Sequence, residues 1–145
     1  MTERQEEYRV RVEWTGYKSG LVHAKGRAKI ETGIPSDSEN TVHNYTPEEL
    51  FVAAGTVCFM NSFVYFTKKM HIEFKAFEAE STGYLEQVDR SFEVTRIHTR
   101  TKLTISSEDQ VKKFERALEL GAKYCFIANS MKGPTTHEHE IIIDA

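Results

Sequence analysis

Two cysteines, Cys58 and Cys125, are the side chains of this sequence best suited to covalent chemistry. Cys58 lies inside TPEELFVAAGTVCFMNSF, residues 46–63, and Cys125 inside AKYCFIANS, residues 122–130. A free cysteine is among the most buried residue types and packs as a small hydrophobe, so core filling accounts for a lone cysteine on an apolar helix. Gly55, Asn61 and Ser62 lie close to Cys58, and a second cysteine ends another amphipathic stretch. That adds a second reading, in which one thiolate is oxidised to a sulfenic acid and a neighbouring thiol condenses with it. Spacing along the chain does not show that the two sulfurs meet, and both readings stand.

Other candidates carry weaker signals. His137 and His139 alternate with glutamates in HEHE, but two same-face histidines without Cys or Asp at ligand spacing read as plain exposed residues rather than a metal site. His23, His43, His71 and His98 show no partner pattern. Lys112, Lys113, Glu115, Arg116 and Glu119 read as the solvated face of a helix. Phe51, Phe59, Phe63, Tyr65 and Phe66 are core by default. One or two of them can line an apolar pocket beside Cys58.

The elements that must position the thiols are legible in outline. Tyr8, Val10, Val12 and Trp14 alternate with Arg9, Arg11 and Glu13, the pattern of a strand covered on one side. A GYKSG turn follows, then one or two strands between Leu21 and Ile30, then the polar loop IPSDSENTVHNY. Thr46 is a good N-cap, Pro47 suits the first helical turn, and Glu48 and Glu49 suit the positive end of the helix dipole. Apolar side chains from Leu50 to Phe66 then fall all round the helical wheel, which predicts a central helix buried on every side. Two long strands follow, with phase changes between Ala76 and Phe77 and between Val94 and Ile97 that predict a bulge or kink in each. Ser107 and Gln110 read as a capping box for a second helix that delivers Cys125 near its end, and HEHEIIIDA reads as a last strand. The order predicts an α+β fold, antiparallel sheets packed around a central buried helix, in one domain spanning residues 1–145. A chain of 145 residues has little material to cover such a helix, so an interlocked homodimer is expected.

The totals narrow the function. Nineteen Lys and Arg against 22 Asp and Glu give a net charge of -3, so no basic field points to nucleic acid or an anionic membrane. The N-terminus is charged and lacks the apolar core of a signal peptide. The run from Leu50 to Phe66 is broken by Gly55, Thr56, Asn61 and Ser62 and reads as too short and polar to span a membrane. The expected location is cytoplasmic, where a permanent structural disulfide between Cys58 and Cys125 is disfavoured and any bond between them is transient.

PEELFVAAGTVCF, with a glutamate ten residues before the cysteine, followed by AKYCFIANS, resembles the OsmC/Ohr family of organic hydroperoxide resistance proteins over nearly the whole chain. The resemblance implies an α+β homodimer with active sites at the subunit interface. It implies that organic hydroperoxides are reduced to alcohols and that an external dithiol, in several members a lipoylated protein, reduces the resulting disulfide. On this resemblance Cys58 matches the peroxidatic cysteine, Cys125 the resolving cysteine, and Glu48 the carboxylate that holds an arginine beside the thiolate. No cofactor is implied. The family's arginine lies in a Gly-Arg-Asp-Gly-like turn; here the turn is GYKSG and the aligned residue is Lys18, with Arg27 as a substitute cation. Lysine supplies positive charge without the planar fork that engages carboxylate and peroxide together. Phe126 also follows Cys125 where the family commonly has proline. These departures admit a second function, a member with weak or no peroxidase activity that binds a small hydrophobic ligand or senses redox state. On a straight helix Glu48 and Cys58 are about 15 Å apart along the axis. Either the helix breaks near Gly55 or the glutamate comes from the other subunit.

Overall fold

The alternating segment at the N-terminus forms strand β1 (Arg11–Gly16), which a tight Tyr17–Lys18 turn joins to β2 (Ser19–His23). Gly16 enters the turn at φ 142° and Tyr17 continues it at φ 44°, backbone angles that suit glycine and strain most other residues. The Trp14 indole N–H donates to the Tyr17 carbonyl at 2.7 Å and ties the turn back to its strand. β2 pairs antiparallel with β3 (Ile30–Thr32), completing a three-stranded sheet. The strand expected to be covered on one side is open in the single chain, with Val12 and Trp14 both exposed. The structure, a computed structural model, describes residues 5–34 and 44–145; most of the expected polar loop, His43 included, lies outside them. By contacts the chain divides into two compact units, residues 1–50 and 51–145.

Helix α1 (Pro47–Lys69) starts where the sequence places it. Its first turn closes a reciprocal capping box: the Glu49 N–H donates to Thr46 Oγ1 at 3.1 Å, and the Thr46 N–H donates to Glu49 Oε1 at 2.9 Å. The helix runs unbroken through Gly55 to two lysines at its negative end. It is also long and apolar enough, at a mean hydropathy of 1.6, to pass as a membrane span by length and composition, contrary to the reading of its polar interruptions.

The second unit builds its core on one stripe of that helix. Phe59, Phe63 and Thr67, four residues apart, are buried, and Phe63 stacks among Phe74, Phe77 and Phe114 with ring centroids 5.2 to 6.5 Å away. Strand β4 (Ala76–Val88) pairs antiparallel with β5 (Ser91–Ile105), and β6 (Thr135–Ile143) lies parallel to β5 on its other side. The sheet is therefore mixed rather than wholly antiparallel. A parallel neighbour requires a crossover, supplied here by a 3₁₀ turn (Glu108–Gln110), α2 (Val111–Lys123) and α3 (Phe126–Asn129). Leu103 and Ile105 of β5 and Phe114 and Leu118 of α2 complete the core.

In the single chain α2 and the second sheet cover one stripe of α1 and leave Phe51, Val57, Met60 and Tyr65 exposed, on faces that the expected dimer would cover. Cys125 follows the last residue of α2, Lys123, by two positions, near the end of the helix as expected. Two expectations need correction. First, the capping box at Ser107 does not form; its hydroxyl donates to the Asp109 carboxylate, the residues between it and α2 coil as 3₁₀, and Gln110 makes no side-chain cap. Second, the phase change at Ala76 marks the start of β4, with Ile72 and Phe74 in the connection before it, so no bulge is needed there. The other phase change is a bulge: Tyr84 pairs with Arg96 and Leu85 with Val94, leaving Thr95 extra. Gly133 sits on that bulge so closely that a Cβ would collide with the Thr95 carbonyl.

Phe63→Ala removes the ring at the centre of this core and is expected to cost about 3–5 kcal/mol, read as a lowered urea midpoint. An unchanged midpoint would show that the four-ring cluster does not hold the unit together.

Candidate functional site

The two thiols come close because α1 and α2 touch backbone to backbone. A Cβ added at Gly121 would lie 3.1 Å from both Phe63 Cα and Phe63 N, so α2 packs at glycine distance on α1. Two residues later, at Lys123, α2 ends. The Tyr124 N–H donates to the Leu120 carbonyl at 3.0 Å, and the Cys125 carbonyl accepts the Asn129 N–H at 2.9 Å to open α3. That places Cys125 under α1, 1% exposed, with its thiol donating to the Gly55 carbonyl at 3.6 Å. Cys58 lies near enough to act on the ionisation of the Cys125 thiol, and both thiols are free. Burial pushes the Cys125 thiol above its ordinary value and Cys58 pushes the same way, while N–H groups of Ala128 and Ile127 pull down less strongly. Cys125 is thus a neutral thiol at pH 7.

Cys58 is half-buried and faces outward into a cleft of about 710 Å³. One wall is a single face of α1, Cys58, Asn61, Ser62, Tyr65, Phe66 and Lys69; the other is Leu120, Tyr124 and Phe126. The Phe66 and Tyr124 rings close the gap at 5.7 Å, and Lys69 Nζ stands 5.6 Å over the Tyr65 ring. The residue after Cys125, phenylalanine where the resemblance suggests proline, contributes an apolar surface to this wall. An apolar cleft with a thiol, an amide and a hydroxyl at one end and an ammonium at the other can hold a small amphipathic molecule.

Behind Cys125 runs a feature that the sequence reading missed. Ser81 of β4, Thr99 of β5 and His137 of β6 are direct cross-strand neighbours on the inward face of the sheet. Thr56 Oγ1 of α1 lies 2.7 Å from Ser81 Oγ and 2.9 Å from the Val52 carbonyl, and Ser81 Oγ lies 2.7 Å from Thr99 Oγ1. The reading of His137 as plainly exposed is corrected: its ring packs 4.5 Å from Phe59, and its Nδ1 is buried without a partner among the described residues. Burial, with the His139 and His98 imidazoles adding to it, holds His137 below the usual imidazole range. A visible signal was the phase of Ser81 and Thr99, which share the inward face with Phe77 and Leu103.

The remaining candidates fall as follows. Lys18 is exposed in the β1–β2 turn, 5.7 Å over the Tyr17 ring, and Glu48 is exposed in the first turn of α1. Arg27 is exposed in the first unit. His23 and His98, for which spacing showed no partner, are paired across strands. His23 Nε2 lies 3.0 Å from Glu13, and His98 Nε2 lies 2.9 Å from Glu138 with its Nδ1 2.7 Å from Thr136. The expected solvated face of α2, Lys112, Lys113, Glu115, Arg116 and Glu119, is exposed. Among the described residues no three His, Cys, Asp or Glu side chains group as metal ligands.

Fold and site together define a small α+β protein with two neighbouring free thiols, of which Cys58 lines an apolar cleft and Cys125 is buried. The chain belongs to the OsmC-like protein family, whose model matches residues 36–140. Its structure is similar to that of an OsmC-like protein of unknown function from Vibrio cholerae, with 21% identity, a TM-score of 0.80, and 94% of this chain and 100% of that chain covered. It is also similar to the organic hydroperoxide resistance protein OhrB of Bacillus subtilis, with 18% identity, a TM-score of 0.68 and coverage of 92% and 98%. A third likeness is to an organic hydroperoxide resistance protein OsmC from Legionella pneumophila, with 17% identity, a TM-score of 0.70 and coverage of 96% and 100%. No curated protein sequence matches the chain.

In the folded protein iodoacetamide is expected to label Cys58 well before Cys125, because only Cys58 opens on the cleft. Equal labelling rates, read by peptide mass spectrometry, would contradict the burial assigned to Cys125.

Proposed function

We propose that the protein is a thiol peroxidase that reduces organic hydroperoxides to alcohols. The observation that carries this reading is a cleft-facing thiol with a second, buried thiol close to it. In the proposed reaction the Cys58 thiolate attacks the distal peroxide oxygen, the O–O bond breaks, and the alcohol leaves with a proton. Cys125 then attacks the Cys58 sulfenic acid, water leaves, and a disulfide joins the two residues. An external dithiol, a lipoylated protein by family resemblance, returns both to thiols in a cytoplasmic setting. The apolar walls from Tyr65, Phe66, Tyr124 and Phe126 suit an organic group on the peroxide.

The working unit in this reading is a homodimer, with Lys18 and Glu48 tuning the site. Val57 and Met60 leave an apolar face of α1 open in the single chain, which a second copy of the helix would cover. Because α1 does not break at Gly55, a Glu48 about 15 Å from Cys58 along the axis serves the site across the interface instead. A second reading, ligand binding or redox sensing with weak turnover, is favoured by one observation. The cation lining the cleft, among the described residues, is Lys69, eleven residues or about 16 Å along α1 from Cys58.

Cumene hydroperoxide with excess dithiol tests the choice. The parent protein is expected to consume peroxide catalytically, Cys58→Ser to consume none, and Cys125→Ser to stall near one equivalent with dihydrolipoamide as reductant. No consumption by the parent rules out the enzyme in favour of the binding reading. Val57→Glu is expected to shift the sedimenting species from dimer to monomer; a parent that sediments as a monomer contradicts the dimer.

A further inference from the structure

The buried polar row beside Cys125 has no counterpart in the two-thiol scheme. Ser81, Thr99 and His137 lie in register across three strands on a face whose other positions include Phe77, Ile97, Leu103 and Ile105. Such a row does not improve an apolar core. It leads to a cavity of about 10 Å³, near the smallest that holds one water, bounded by His137, Cys125, Thr56, Thr99, Thr135 and Phe59. Cys125 and His137 thus line one small cavity, the first from the α2–α3 junction and the second from β6. His137 Nδ1 is buried and has no partner among the described residues, and with the ring proton on Nε2 it offers a lone pair. The cavity has the polar groups a water needs, in the imidazole nitrogen, the thiol and the threonine hydroxyls.

We propose that His137 is the proton acceptor for the Cys125 thiol, reached through one water in the cavity they share. This rests on the reading of Cys125 as the resolving thiol. As Cys125 attacks, its S–H proton passes through the water to His137 Nδ1, and its sulfur bonds to the Cys58 sulfur. The Cys58 S–O bond breaks, and the departing hydroxide takes up a proton to become water. The peroxide that made the sulfenic acid is the only oxidant required. His137 suits the role because burial keeps the ring neutral at pH 7, and Cys125 needs a proton acceptor because burial keeps it a thiol. The titratable groups around the ring are Cys125, with Cys58 behind it, His98 on β5 and His139 on β6. α1 presents Phe59, Thr56 and Gly55 to the cavity, none of which titrates.

Reaction with dithiobis(nitrobenzoate) isolates the step without peroxide, so it can fail independently of the peroxidase reading. Cys58 releases one thionitrobenzoate and becomes a mixed disulfide; Cys125 then attacks Cys58 and releases a second. The first release is the internal reference. For the parent, the second release is expected to be nearly flat with pH between the imidazole and thiol titrations, from about pH 6.5 to 8.5. For His137→Gln, with His137→Asn as a second replacement, it is expected to fall about 10²-fold at pH 7 and to rise about tenfold per pH unit as hydroxide takes over. A parent rate that itself rises tenfold per unit, a variant slowed equally at every pH, or an unaffected variant would each overturn the proposal. So would a parent that releases only one thionitrobenzoate. The parent profile decides the question even if neither variant folds.

Discussion

The close approach of α2 to α1 at Gly121 is the constraint on which the thiol pair depends. The α2 backbone can reach Phe63 only where no Cβ intervenes, and Cys125 follows four residues later, carried beneath the segment from Gly55 to Cys58. Phe63 works from both sides of this contact: its backbone receives Gly121, and its ring anchors the cluster of Phe74, Phe77 and Phe114. Packing at that one crossing sets the depth of Cys125 and leaves Cys58 open to the cleft. The same geometry separates the chemistry of two identical groups, since desolvation raises the pKa of the inner thiol.

Burying polar groups has a cost that limits how the site can be built. A hydroxyl or imidazole nitrogen removed from water without a partner costs roughly 1–3 kcal/mol. Thr56, Ser81 and Thr99 meet that cost by bonding one another, whereas His137 Nδ1 does not. The sign of its pH dependence follows from the lowered pKa. The unfolded ring takes up a proton near pH 6.5 before the folded ring does, so stability falls as pH drops through that value and is unaffected above it.

Much of the scaffold was legible because its signals are local. The Thr46–Glu49 cap, the bulge near Thr95, the first hairpin and the two thiols all follow from residue type and short spacing. The misread features depend on what lies across space. Ser107 and Gln110 have the spacing of a capping box, yet Asp109 competes for the serine hydroxyl. HEHE looked exposed because alternation alone cannot tell which face of an edge strand meets a helix; Phe59 decides it for His137. The mixed sheet was missed because strand direction is set by the crossover through α2, not by the strand sequences.

The central claim is that Cys58 and Cys125 act as one redox unit. Intact-mass spectrometry of the protein after one equivalent of an organic hydroperoxide tests it most directly. The account predicts a loss of about 2 Da with a Cys58–Cys125 cross-linked peptide. Addition of one to three oxygens to Cys58 with Cys125 still free, or no change in mass, would contradict it.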